Sequence, residues 1–113
     1  MKALRECPKV SVMVITYNQE KFVRETIESV ISQDYPNLEY VIADDGSTDS
    51  TQEIIKEYQR KFPDIIKAII GNENVGISEN SNRGLNACTG EFVALQGGDD
   101  VFLPGKIRAQ VDW

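Results

Sequence analysis

A repeated switch between two hydrophobic periods constrains this chain more than any other feature. Val10-Ser-Val-Met-Val-Ile15 is a short, nearly continuous, β-branched run that stops at Thr16-Tyr17-Asn18. A run of this kind predicts a strand covered on both faces, as in a parallel sheet. From Glu20 to Gln33 the period changes, and Phe22/Val23, Ile27 and Val30/Ile31 recur at helical spacing. Pro36 then stops the helix, because it disfavours helical geometry in the residue before it.

The cycle repeats along the chain. Leu38 to Ala43 predicts a second strand, ended by Asp44-Asp45-Gly46-Ser47. Thr48, Asp49 and Ser50 are candidate N-caps, with Gln52 or Glu53 placed for a capping box. Ile54/Ile55, Tyr58 and Phe62 form the apolar face of a second helix. Ile65 to Ile70 predicts a third strand, interrupted by Lys67. A third helix is expected from about Ile77 to Cys88, with Ser81, Gly84, Leu85 and Cys88 facing inward. Glu91 to Leu95 predicts a fourth strand, followed by a Gln96-Gly97-Gly98-Asp99-Asp100 loop. A last helix is expected after Pro104, with Ile107 and Val111 on one side. Alternating strands and helices with short connections predict an α/β fold around a parallel sheet.

Composition narrows the chemistry. The 113 residues suit one domain with a core of its own. Twelve Lys and Arg against 18 Asp and Glu give a net charge of −6, which argues against a nucleic-acid surface. No apolar run approaches the ~20 residues of a membrane span, and the first nine residues lack the apolar segment of a signal peptide. Cys7 and Cys88 do not make a disulfide framework and read as reduced thiols in a cytoplasmic protein. With no His in the sequence, Ser-His-Asp triads, Cys-His dyads and His-ligated zinc are excluded. Acid–base work falls to carboxylates, and any metal is a hard ion held by oxygen.

In an open parallel sheet, ligands bind beyond the carboxyl ends of the strands. Four polar clusters fall at such ends: Thr16-Tyr17-Asn18, Asp44-Asp45-Gly46-Ser47, Gly71-Asn72-Glu73-Asn74-Val75-Gly76 and Gly97-Gly98-Asp99-Asp100. Two acidic pairs on one rim favour a divalent cation, or donors such as a base N–H and sugar hydroxyls. Mg²⁺ or Mn²⁺ bridging carboxylate to substrate phosphate fits this pattern. Each pair could instead be a solvated turn or helix cap, and the 71–76 stretch a flexible loop. Tyr17 either packs at the rim or stacks on a base. Cys88 reads as a helix-packing residue.

These residues resemble family 2 glycosyltransferases, which have the GT-A fold. The resemblance runs through Val10–Asn18, Glu28–Gln33, Ala43–Thr51, Asn74–Ser78, Asn82–Gly84, Thr89–Glu91 and Gly98–Asp100, in order and across nearly the whole chain. It implies a three-layer α/β/α sandwich with a mostly parallel sheet and a site for a nucleoside-diphosphate sugar. Thr16, Tyr17 and Asn18 would line the nucleotide pocket. Asp44 and Asp45 would meet the base, Asp45 being the better acceptor for its N–H. Gly76 would lie near base and ribose. Of Asp99 and Asp100, one would touch ribose or sugar, and the other would ligate Mn²⁺ or Mg²⁺ on the diphosphate. Two departures stand out: Gly97 occupies a position that is commonly acidic, and Asn80-Ser81 replaces a frequent Ala-Arg.

The implied activity is inverting, metal-dependent transfer of a sugar, with UDP-sugar the expected donor, to a saccharide, lipid-linked or other hydroxyl acceptor. Residues 1–113 would be the N-terminal, donor-binding part of a domain truncated at its C-terminus. The general base would lie beyond Trp113, so this part alone is expected to bind donor without transferring it. An apolar surface around residues 106–113 would be left for a homodimer contact. The protein would be cytoplasmic, or peripheral at the inner face of the membrane. Two alternatives are a non-catalytic nucleotide-binding module and a receiver-type signalling domain. The receiver would want its acidic pair after the first strand. A dinucleotide oxidoreductase is disfavoured, because no G-x-G-x-x-G follows that strand.

Overall fold

The computed structural model describes residues 7–97 and 100–111. Met1 to Glu6, Gly98, Asp99, Asp112 and Trp113 lie outside the described residues, so the expectations for Asp99 and Trp113 are not addressed by it. Eight elements alternate: β1 (Val10–Thr16), α1 (Val23–Ile31), β2 (Leu38–Asp44), α2 (Thr51–Lys61), β3 (Ile66–Ile70), α3 (Ile77–Ala87), β4 (Phe92–Gln96) and α4 (Lys106–Val111). All strand pairings are parallel, in the order β3-β2-β1-β4. The order reverses between β1 and β4, which makes their carboxyl ends the expected ligand crevice. A receiver domain would place β1 between β2 and β3; here β2 separates them.

The three layers follow from strand alternation. Val10, Val12, Val14, Tyr40 and Ile42 point to one face and pack with Val23, Ile27 and Val30 of α1, Ile55 and Tyr58 of α2, and Ile107 of α4. On the opposite face, Met13 and Ala43 lie under α3. A Cβ at Gly84 would come within 2.8 Å of Met13 Sδ, so the bare glycine is what lets the helix approach the sheet this closely. β1 and β2, the central strands, are buried almost throughout, as their β-branched runs require.

Several local expectations are corrected. α1 begins at Val23, three residues later than Glu20. The preceding residues form a turn in which the N–H groups of Phe22 and Val23 both donate to Gln19 O, and Phe22 is exposed. The inward face of α3 is Asn80 and Gly84, while Leu85 is 43% exposed. The amide of Asn80 finds a backbone partner on the sheet, which makes its burial tolerable. Ser50 occupies the N-cap of α2 without a side-chain cap bond. Asp49 Oδ1 instead accepts the Thr51 N–H and hydroxyl. Gln52 is turned away from any capping box. Gln96 belongs to β4 rather than to the following loop.

At the amino end of the sheet, Glu39 is nearly buried. It accepts hydrogen bonds from Ser11 Oγ and from the Thr89 N–H, at 2.6 and 2.9 Å, and an ion pair from Lys67 Nζ at 3.1 Å. Burial alone would raise its pKa, but these partners outweigh it and hold the carboxyl at about 2. Cys7 and Cys88 are not joined in a disulfide. Burial chiefly raises the Cys88 pKa, and its Sγ–H points to Gly84 O at 3.4 Å, in keeping with a packing role. No helix among the described residues is long and apolar enough to cross a membrane.

Candidate functional site

The polar ends of the four strands meet on one rim, and their contacts assign them unequal tasks. Asp44 is the last residue of β2 and fully buried. Its Oδ1 accepts the hydroxyls of Thr16 and Ser47 at 2.7 and 2.6 Å. Its Oδ2 accepts the Ser47 N–H at 2.8 Å and Gln52 Nε2–H at 2.9 Å. Four donors account for the capacity of a carboxylate. Asp44 therefore organises the turn, and with it Thr16 is drawn into the protein.

Asn18 is similarly committed. Its Oδ1 accepts the Thr48 N–H at 2.8 Å and its own N–H donates to Ser47 Oγ at 2.8 Å. This requires a left-handed backbone, φ 49°, which Asn tolerates better than most residues. The loops after β1 and β2 are thus laced together. Gly46, at φ 73°, lets the 71–76 loop close over them: a Cβ there would collide with the backbone of Glu73. Gln52 Nε2 adds a bond to Gly71 O at 2.9 Å.

Asp45 differs from its neighbour. Its Oδ1 accepts the Val75 N–H at 2.7 Å, and its Oδ2 the Gly76 N–H at 3.0 Å. Each oxygen keeps further acceptor capacity. Arg83 Nη2 stands 3.7 Å from Oδ1. Gly76 has φ 98°, a conformation for glycine, and its carbonyl accepts the Asn80 N–H that opens α3. Asp45 lines a cavity of about 260 Å³ with Thr16, Tyr17, Gln19, Ile77, Asn80 and Gly97 among its walls. Tyr17 presents an exposed ring there. The cavity joins the carboxyl ends of β1, β2 and β4, at the reversal of strand order.

The fourth cluster is only partly described. Asp100 is exposed; its Oδ2 accepts the Gly97 N–H and its own N–H donates to Gly97 O, both at 3.0 Å. Gln96 braces this turn, donating Nε2–H to Asp100 O at 3.2 Å while its Oε1 accepts the buried Tyr40 hydroxyl at 2.6 Å. Gly97 reaches the Asp45 cavity; Asp100 lines a separate surface with Leu103 and Lys106. Among the described residues no cluster of three side chains could hold a metal ion. An exposed carboxylate in a glycine-flanked turn still suits a hard ion that takes its other ligands from phosphate and water.

Thr16, Tyr17, Asp45 and Gly76 therefore come together at or beside one cavity, while Asp44 and Asn18 support it from behind. Gln19, Ile77, Asn80, Gln52 and Arg83 also build the site and were not singled out for it from the sequence. The Asx-rich and Gly-rich ends of the strands were the visible signal; apart from Gln19, in the loop before α1, the supporting residues lie on helices, where a side chain carries no mark of its partner.

A larger apolar groove of about 610 Å³ runs along β4 and α4, lined by Phe92, Val93, Leu95, Ala109 and Val111 among others. The apolar surface expected at residues 106–113 is thus centred on the edge strand: Ile107 is buried, whereas Phe92 and Leu95 are 53% and 65% exposed.

Comparison with known proteins agrees with this arrangement. The sequence profile described as Glycosyl transferase family 2 matches residues 11–113. The putative glycosyltransferase EpsE of Bacillus subtilis is 41% identical over 104 residues, covering 92% of this chain and 37% of that protein. The mannosyltransferase PcManGT of Pyrobaculum calidifontis, solved with GDP-Man and Mn²⁺, superposes with a TM-score of 0.86 at 30% identity, covering 94% of this chain and 32% of that one. Staphylococcus aureus TarS 1–349, solved with UDP-GlcNAc, gives 0.83 at 34% identity, over 92% and 30%. The chain spans about a third of the length of these relatives. The α/β architecture is that of GT-A glycosyltransferases, and the chain belongs to glycosyl transferase family 2.

Proposed function

We propose that residues 1–113 form the donor-binding part of a metal-dependent, inverting glycosyltransferase that uses a UDP-sugar. The observation that carries this reading is the carboxylate of Asp45 in a cavity shared with the Tyr17 ring, at the reversal of strand order. A carboxylate accepts the imide N–H of uracil as a charge-assisted bond, and an aromatic face can cover the ring. Thr16, Asn18, Asp44 and Gly76 act by holding this cavity in shape. The diphosphate of the donor is anionic, and the rim is acidic. Asp99 and Asp100 are the residues that would hold Mn²⁺ or Mg²⁺, which when bound offsets charge on the leaving diphosphate. No carboxylate at this rim is assigned the acceptor's proton, since Asp44 is saturated and Asp45 holds the 75–76 turn. The acceptor is a hydroxyl of a saccharide, lipid or other molecule, and the protein acts in the cytoplasm or at the inner face of the membrane.

The test is calorimetry of UDP against the chain, with Mn²⁺, with Mg²⁺ and with chelator, and GDP as a second ligand. UDP is expected to bind more tightly with metal. Asp45→Asn removes the charge from the base contact and costs on the order of 1–2 kcal/mol in either condition. Asp100→Ala removes the metal dependence. Equal UDP binding in chelator, or an intact metal effect in Asp100→Ala, refutes the metal-dependent mechanism. Tighter binding of GDP than UDP moves the donor to a guanine nucleotide.

For the 113-residue chain we also propose self-association through β4. Among the described residues it is an edge strand, with one side of its backbone unpaired beside exposed Phe92 and Leu95. A second copy can cover both in a two-fold, edge-to-edge contact.

A further inference from the structure

Arg83 takes no part in lining the Asp45 cavity, yet it is the one cation paired with that carboxylate among the described residues. It stands one helical turn after Asn80 on α3, so the two side chains share a face. Asn80 is 1% exposed; its Nδ2–H donates to the carbonyl of Ala43 at 2.9 Å, two residues before Asp45. Its Oδ1 accepts Arg83 Nη2–H at 3.1 Å. The guanidinium also lies against Gly71, where a Cβ would come within 3.2 Å of Nη2. A chain of contacts thus runs from the β2 backbone through Asn80 and Arg83 to Asp45, and onward to the Val75 and Gly76 amides.

The chemistry of this chain is informative. Asp45 is 4% exposed, and a carboxylate so buried needs opposite charge and donors around it. Two backbone amides supply the donors and Arg83 supplies the charge. At 3.7 Å the guanidinium attracts Oδ1 without replacing its bond to Val75. Arg83 Nε is buried without a hydrogen-bond partner among the described residues, so the side chain is held where it is by its terminal nitrogens, at the expense of its inner one.

We infer that Arg83 is a positioning residue: it fixes the Asp45 carboxylate and the Val75–Gly76 turn, and sets nucleotide affinity without touching the ligand. The affinity half of this rests on the donor-binding reading above; the positioning half does not. The test therefore begins without ligand. Amide hydrogen exchange is measured on wild type, Arg83→Met, Arg83→Lys, Asp45→Asn and the Arg83→Met/Asp45→Asn double variant. Arg83→Met is expected to lower protection of Val75 and Gly76 roughly five- to tenfold, with sheet amides such as Val12 and Val41 unchanged. Arg83→Lys is expected to restore part of it, and the double variant to match Asp45→Asn alone. Unchanged protection at Val75 and Gly76 overturns the inference. So does an equal loss across the sheet, which makes Arg83 a residue of general stability, and so does additivity of the two substitutions.

UDP titration with Mn²⁺ then tests the second half. Arg83→Met is expected to weaken binding roughly tenfold in wild-type background and not at all in Asp45→Asn. Unaltered affinity in Arg83→Met rejects the affinity half. If wild type binds neither UDP nor GDP, the donor reading and the affinity half fall together, and the exchange data still decide the role of Arg83.

Discussion

Asp44→Asn is isosteric and replaces one of the two carboxylate oxygens, and with it two of four matched acceptor positions, with an NH₂ donor. The side chain is fully buried, so water cannot repair the mismatch. Two orientations are available. With Nδ2 toward Ser47 N–H and Gln52 Nε2–H, donors face donors, and the backbone N–H cannot turn away. With Nδ2 toward the Thr16 and Ser47 hydroxyls, both can rotate to accept, and all four contacts survive as neutral bonds. The second is expected. Bonds to a charged group contribute about 1.5–3 kcal/mol each and neutral ones about 0.5–1.5, so losing the charge from four contacts costs about 4–6 kcal/mol, and the smaller desolvation cost of a buried neutral amide offsets part of this to leave a net loss on the order of 2–4 kcal/mol. That is a large share of the ~5–15 kcal/mol typical of a domain, and in one of this size it lowers the melting temperature by roughly 10–20 °C. Urea unfolding followed by circular dichroism measures the loss directly. A variant within about 0.5 kcal/mol of wild type would show that the four contacts do not act through the carboxylate's charge, and would refute the assignment of Asp44 as the organiser of the turn.

Glu39 gives a pH signature: its carboxyl sits near 2, below the ordinary 4.5, so its stabilisation is complete above about pH 4.5 and is lost as pH falls toward 2. Wild type is expected to lose on the order of 2–3 kcal/mol more than Glu39→Gln over that window, read from urea midpoints at each pH; parallel curves would refute it. Gly46→Ala combines a left-handed backbone with a collision against Glu73 and is expected to cost about 2–4 kcal/mol, with shifted amide resonances at residues 73–76. Leu95→Lys on the exposed edge should leave the melting temperature within a few degrees and convert any dimer seen by sedimentation into monomer. A wild-type chain that is already monomeric at high concentration rejects the self-association proposal.

The architecture was legible because β1 and β2 are so apolar that only a two-sided burial suits them, and because helical spacing separates them. The ends of the strands were legible as polar clusters. What the sequence could not separate was Asp44 from Asp45, identical and adjacent, one turned into Thr16 and Gln52 and the other toward the cavity. That distinction depends on which way β2 presents each residue. Gln52 was misread for a similar reason: a Gln three residues past a cap candidate suits a capping box, and nothing local reveals that Asp44 offers a charged acceptor instead. Leu85 was placed inward on spacing alone, while close packing over Gly84 admits only the narrow flank of α3 to the sheet.

The lacing of Asn18 to Ser47 and Thr48 has a consequence for how a ligand would be met. Two loops that each would sample many conformations are joined, before anything binds, into one body carrying Tyr17 on one side and Asp45 on the other. The entropy of ordering them is lost during folding, and an arriving base finds its stacking face and its acceptor already in register. Asn18→Ala removes the Oδ1 half of the lace and keeps every side chain that faces the cavity. It returns the ordering cost to the moment of binding, where it would register as a less favourable entropy of association with little change in enthalpy.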